Sequence, residues 1–210
     1  MDCSADRRIG GWLDRRAILA LVLVSACPSI RLCAQDTLPV GYGTLRRDDI
    51  TVRFATGQVE IQVLPLDEGV IRLLAPDTYR SLSQLLDSRR AELDSAATRA
   101  GVRHPTLVMV TFFGIIPQAR FVPEDVEIMS RGRLFRPAAI VALSPGWASL
   151  QLAARQQAVA IYLFEEGISF RESLTVSYQG QQNGAWSRSV SVLERERARV
   201  MARARARQNP

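Results

Sequence analysis

Lysine is absent from the 210 residues: all 27 basic side chains are arginine, and the only histidine is His104. One imidazole excludes a histidine-rich zinc centre and leaves any nucleophile a single base to draw on. The three cysteines, Cys3, Cys27 and Cys33, all precede residue 34. The rest of the chain therefore has neither a disulfide nor thiolate chemistry. Gly-x-Ser-x-Gly, a Walker loop and a dinucleotide fingerprint are missing too; Gly41-Tyr42-Gly43 reads as part of a flexible connection. No apolar run reaches the ~20 residues of a membrane-crossing helix. These absences remove most recognisable catalytic and cofactor chemistry, and no catalytic, cofactor or metal residue is assigned.

What is present is unevenly spread. The net charge is +6 and the isoelectric point about 10.0, but the excess sits at the ends. Arg7, Arg8, Arg15, Arg16 and Arg31 lie near the start, and Arg195, Arg197, Arg199, Arg203, Arg205 and Arg207 near the finish. Without them the body is close to neutral, so the charge does not describe a nucleic-acid face. Arginine keeps its proton and offers planar contacts to carboxylate or phosphate.

The first 34 residues read as an export leader: a positive segment, then AILALVLVSA over 17–26, then small residues. Val24-Ser25-Ala26-Cys27 resembles the lipobox of bacterial lipoproteins, which implies cleavage before Cys27 and a lipid on its sulfur. Leu32-Cys33-Ala34 before Gln35 offers a signal peptidase I site instead. Arg15-Arg16 fits a plain positive segment, with a twin-arginine signal as the alternative.

Residues 35–45 read as a linker, 46–188 as the folded body and 189–210 as a basic helix and tail. Within the body, residues 49–54 and 58–64 alternate apolar and polar around Gly57, a hairpin pattern. Residues 69–74 suggest a third strand. From Pro76 to Ala100 the period changes to three and four, with Pro76 suiting a helix start and Gly101 its end. TLVMVTFF over 106–113 predicts a central strand buried on both sides. Strands at 126–129, 134–135, 138–143, 157–164 and 174–178 follow, separated by Pro and Gly turns. Residues 149–155 fit a helical turn or a loop, and 179–184 a polar loop. Trp186 is expected to anchor the final helix, whose end from Met201 has little to bury and should fray.

Between Phe121 and Tyr178 the order is Phe-x-Pro-Glu-Asp, an apolar strand, Arg-Gly-Arg, Pro137, a Pro-Gly-Trp turn, a strand ending Tyr-Leu-Phe, and Leu-Thr-Val-Ser-Tyr. This stretch, under a third of the chain, resembles immunoglobulin-like domains of bacterial extracytoplasmic lipoproteins of unknown function. The resemblance implies a mainly β chain, an immunoglobulin-like β-sandwich, and no catalysis. The helix over 76–100 and the basic C-terminal helix are departures from that pattern.

The paired carboxylates Asp48-Asp49, Asp67-Glu68, Glu124-Asp125 and Glu165-Glu166 fall at turns, where solvated acids are ordinary. A hydrolase built from two of them is the rival to a non-enzymatic binding or scaffolding module of the periplasm or anchored at the membrane. Its partners would be an envelope protein or an anionic surface met by the arginine series, and the membrane through the lipid on Cys27; nucleic acid is not among them. The alternative for the arginine series is a soluble helix paired with nearby acids.

Overall fold

The computed structural model describes residues 38–208; Cys27, both processing sites and the rest of 1–34 lie outside the described residues. The chain divides into units Met1–Gln35 and Asp36–Pro210, and every described residue belongs to the second. The protein is mainly β, with two long helices. Strands β1 (Val52–Ala55) and β2 (Val59–Pro65) precede helices α1 (Glu68–Ile71) and α2 (Pro76–Ala100). Then come β3 (Thr106–Gly114), β4 (Ala119–Arg120), β5 (Val126–Ser130), β6 (Arg133–Phe135) and β7 (Pro137–Ala142). The chain ends with β8 (Gln151–Leu152), β9 (Gln157–Phe164), β10 (Leu174–Tyr178), β11 (Gln181–Asn183) and α3 (Trp186–Gln208). Among the described residues these make a five-stranded sheet ordered β1-β2-β3-β9-β7, a four-stranded sheet ordered β11-β10-β5-β6, and a β4-β8 ribbon. Every strand pairing within them is antiparallel.

β3 is the centre, as the TLVMVTFF run predicts. Alternation sends Val108, Val110 and Phe112 to one face and Met109, Thr111 and Phe113 to the other. On the first face the large Phe112 stands opposite Ala158, and Val110 opposite Ala160. Small residues on β9 thus leave room for an aromatic cluster. Phe112 stacks on Phe121 at 4.6 Å and meets Tyr178 of β10 at 5.6 Å and Trp147 at 5.9 Å. The two larger sheets therefore share a core. The cluster's hydroxyls are satisfied: Tyr162 donates to the Pro123 carbonyl at 2.9 Å, and Tyr178 accepts from the Val122 N–H at 3.0 Å.

Turn chemistry accounts for the hairpins. Arg131 (φ 52°) and Gly132 (φ 72°) join β5 to β6, and Gln179 (φ 48°) and Gly180 (φ 79°) join β10 to β11. Two central residues at positive φ match the right-handed twist of the flanking strands. The expected loop at 179–184 is accordingly a hairpin, with Tyr178 opposite Gln181. α2 has the predicted bounds, with Pro in its first turn and Gly101 closing it at φ 71°.

Three expectations need correction. Residues 69–74 do not form a strand: the N–H groups of Val70 and Ile71 bond the Asp67 carbonyl, and α1 with the turn after it brings Val70, Ile71, Leu73 and Leu74 all inward. A short apolar run carries no period of its own, so its geometry is decided by what it packs against. The linker expected over 35–45 is packed from Leu38 onward. Leu45 donates to the Leu73 carbonyl at 3.1 Å and accepts from the Ala75 N–H at 2.9 Å. Gly43 lies so close that a Cβ there would sit 2.3 Å from the Leu73 carbonyl carbon. Finally, the end of the last helix is held. α3 begins at Trp186, and Trp186, Leu193, Val200 and Ala204 form one buried stripe along it.

Candidate functional site

The outer face of the five-stranded sheet carries a groove of ≈ 430 Å³. Its floor is one row of the sheet in register: Arg53 opposite Gln62, Gln62 opposite Thr111, and Thr111 opposite Val159. Met109 and Phe113, one pleat away on either side of Thr111, share that face. Leu85 of α2 and Leu143 beyond β7 add apolar walls. Arg47 and Asp48, in the 3-10 turn Arg47–Ile50, complete the rim. That turn is fixed by three local features: Ile50 is fully buried, the Asp49 carboxylate accepts from the Arg46 N–H at 2.7 Å, and the Thr51 hydroxyl donates to the Arg47 carbonyl at 2.7 Å.

Several of the groove's polar side chains are engaged: Gln62 donates to the Glu60 carboxylate at 3.0 Å, and the Ser144 hydroxyl accepts from the Val159 N–H at 2.9 Å. Asp48 is held by Arg53. Arg47 places Nη2 3.6 Å from the Met109 sulfur, and among the described residues no carboxylate pairs with it. Partial burial of its guanidinium pulls the pKa down; Asp48 opposes that and Arg53 adds to it. It stays charged, since arginine starts so high. Thr111, only 6% exposed, is the one polar residue between Leu107 and Phe113 of β3, and its hydroxyl makes no hydrogen bond among the described residues. The arrangement places a cation at the rim, the Thr111 hydroxyl on the floor, and apolar side chains around them.

The arginine series predicted as one patch is dispersed by the helix. Arg203 donates to the Glu196 carboxylate and the Tyr42 carbonyl, at 2.8 and 2.7 Å. Arg197 donates to the Gly69 carbonyl, and the Arg207 guanidinium lies 5.6 Å from the Tyr42 ring centroid. Arg195, Arg199 and Arg205 remain exposed, Arg199 lying 3.7 Å from Glu196. Burial pushes Glu196 upward, but the bonds from Arg203 and Thr44 outweigh it and leave its pKa below the usual carboxylate range.

The paired acids are not gathered. Asp67-Glu68 sits at the start of α1, where Glu68 bonds Arg72 and the Tyr79 hydroxyl. Glu124-Asp125 lies in the turn before β5, and Glu165 pairs with Arg133. The four described cavities each contain one acid: Glu194, Glu92, Asp48 and Asp94. His104 is exposed in the connection between α2 and β3. Among the described residues no three His, Cys, Asp or Glu side chains are placed to hold a metal, and no helix is long and apolar enough to cross a membrane.

Sequence reasoning did not find the groove. The signal was faint: Arg53, Gln62 and Thr111 are the outward positions of three strands, and only sheet register sets them in a row. Comparison with protein-family models, with curated proteins and with solved structures finds no match to this chain.

Proposed function

We propose that the protein is an exported envelope protein, lipid-anchored through Cys27, whose body is an immunoglobulin-like β-sandwich acting as a non-enzymatic binding module. The sandwich reading is supported by the aromatic cluster shared between the five- and four-stranded sheets. The lipid anchor is supported by Val24-Ser25-Ala26-Cys27 at the end of the apolar run. The observation that carries the binding reading is the groove on the sheet face, with Arg47 lacking a carboxylate partner and Thr111 lacking a hydrogen bond among the described residues. General acid–base hydrolysis asks for two acids, or an acid and a base, within reach of one substrate. The single acid of this groove is already engaged by Arg53. A protein partner or anionic envelope surface would meet the exposed side of α3, at Arg195, Arg199 and Arg205.

Purified full-length protein is melted in the presence of fractionated small molecules from a bacterial envelope extract, and the same fractions are assayed for consumption. A binding module raises its melting temperature saturably and leaves the fraction unchanged. Turnover of a substrate, by contrast, would replace this reading with the hydrolase.

A further inference from the structure

The groove also indicates which ligand it takes, and this inference rests on the binding reading above. Three ionised side chains line it, Arg47, Arg53 and Asp48. Two guanidinium charges against one carboxylate leave +1, which a monoanion neutralises and a phosphate dianion overshoots. Arg53 is spent on Asp48, so the charge on offer is that of Arg47. Its planar fork fits a carboxylate through two parallel bonds. Partial desolvation of the guanidinium strengthens such a pair relative to the same pair in bulk water. Thr111 and Gln157 add neutral donors beside it.

The remaining walls are apolar. Met109, Phe113, Leu143, Val159 and Leu85 come from β3, the chain after β7, β9 and α2, and enclose the space below Arg47 on several sides. Met109 is buried beneath Arg47, while Phe113, Leu143, Val159 and Leu85 are half-buried, and covering what they still expose releases ordered water. We propose that the groove binds a small monocarboxylate with an apolar body, its carboxylate on Arg47 and its hydrocarbon part over Phe113 and Val159.

The test is a proton–nitrogen NMR titration of full-length protein with octanoate, octan-1-ol and octyl phosphate. Octanoate should move the amides of Gln62, Thr111 and Gln157 saturably, with a Kd below about 1 mM for a ligand of this size. Octanol and octyl phosphate should each bind at least about tenfold more weakly. Arg47→Gln should weaken octanoate about tenfold or more while leaving the spectrum folded, because among the described residues the Arg47 guanidinium forms no ion pair and its hydrogen bond is to the Met109 sulfur. Thr111→Val, nearly isosteric, should weaken it by a few-fold. Equal binding of octanol, tighter binding of octyl phosphate, shifts confined to α3, or an unchanged Kd in Arg47→Gln would overturn the proposal. If octanoate causes no shifts while envelope fractions still stabilise the protein, the ligand class is wrong and the binding reading stands. Consumption of a fraction defeats the binding reading itself.

Discussion

The carboxylate of Glu196 accepts both the N–H and the hydroxyl of Thr44, at 3.0 and 2.8 Å, across 152 residues of chain. Glu196 is 1% exposed, and Arg203, two turns further along α3, bonds the same Oε1, while Oε2 makes no hydrogen bond among the described residues and faces Arg199 at 3.7 Å. This one side chain ties the segment that enters the fold to the helix that ends it. It also changes what the arginines mean: Arg203 neutralises a buried acid instead of waiting for a partner.

Glu196→Gln removes the charge that Arg203 and Thr44 are built around and should cost about 1–3 kcal/mol, read by chemical denaturation. The pH dependence has a definite direction. The folded pKa of Glu196 lies below its unfolded value, so its contribution is complete above the unfolded value of about 4.3 and is lost as pH falls through the lowered folded value. Melting temperature should therefore fall more steeply below pH 4 in the natural protein than in Glu196→Gln. Parallel acid limbs would show that the pair contributes nothing to folding.

Truncation after Arg199 tests the same helix differently. A tail with a thin apolar stripe looks dispensable from the sequence alone, yet the cut removes fully buried Val200, buried Ala204 and the Arg203 partner of Glu196. Loss of one core valine and a charge-assisted pair amounts to about 3–5 kcal/mol. For a chain of this size that is a drop of about 6–20 °C in Tm. An unchanged melting curve would mean that this end of α3 does not pack as described.

Gly43→Ala should destabilise by about 1–3 kcal/mol, because the added methyl would meet backbone atoms of Leu73 and Leu74 at 2.3–2.4 Å. Backbone cannot swing aside as a side chain can. Gly57→Ala is the control: a Cβ there meets nothing within 4 Å, and equilibrium unfolding should place it within about 0.5 kcal/mol of the natural protein.

In the core, Phe112→Ala should cost about 3–5 kcal/mol, since its ring contacts Phe121, Tyr178 and Trp147. Tyr162→Phe keeps the ring and deletes only the bond to the Pro123 carbonyl, which still accepts from the Val126 N–H; about 0.5–1.5 kcal/mol is expected. Urea melts of both variants separate packing from hydrogen bonding in the aromatic cluster.

The sequence by itself determined the elements whose own residues suffice to define them. α2 has proline at its start, glycine at its end and a three-and-four period between, so its bounds follow from local chemistry. β3, β9 and β10 are long β-branched or alternating runs between turn residues, and the Arg131-Gly132 turn states its hairpin. Only the tertiary structure decided the remainder. Residues 69–71 became helical, 72–73 followed as a turn, and 38–45 became packed because their apolar groups find burial against distant partners, and no local period records that. The arginines of α3 were sorted into buried ties and exposed ends by Glu196, Tyr42 and Gly69, which lie on other parts of the fold or on the helix's buried side. The groove exists because register sets Arg53, Gln62 and Thr111 side by side, and register is a property of paired strands that no single strand contains.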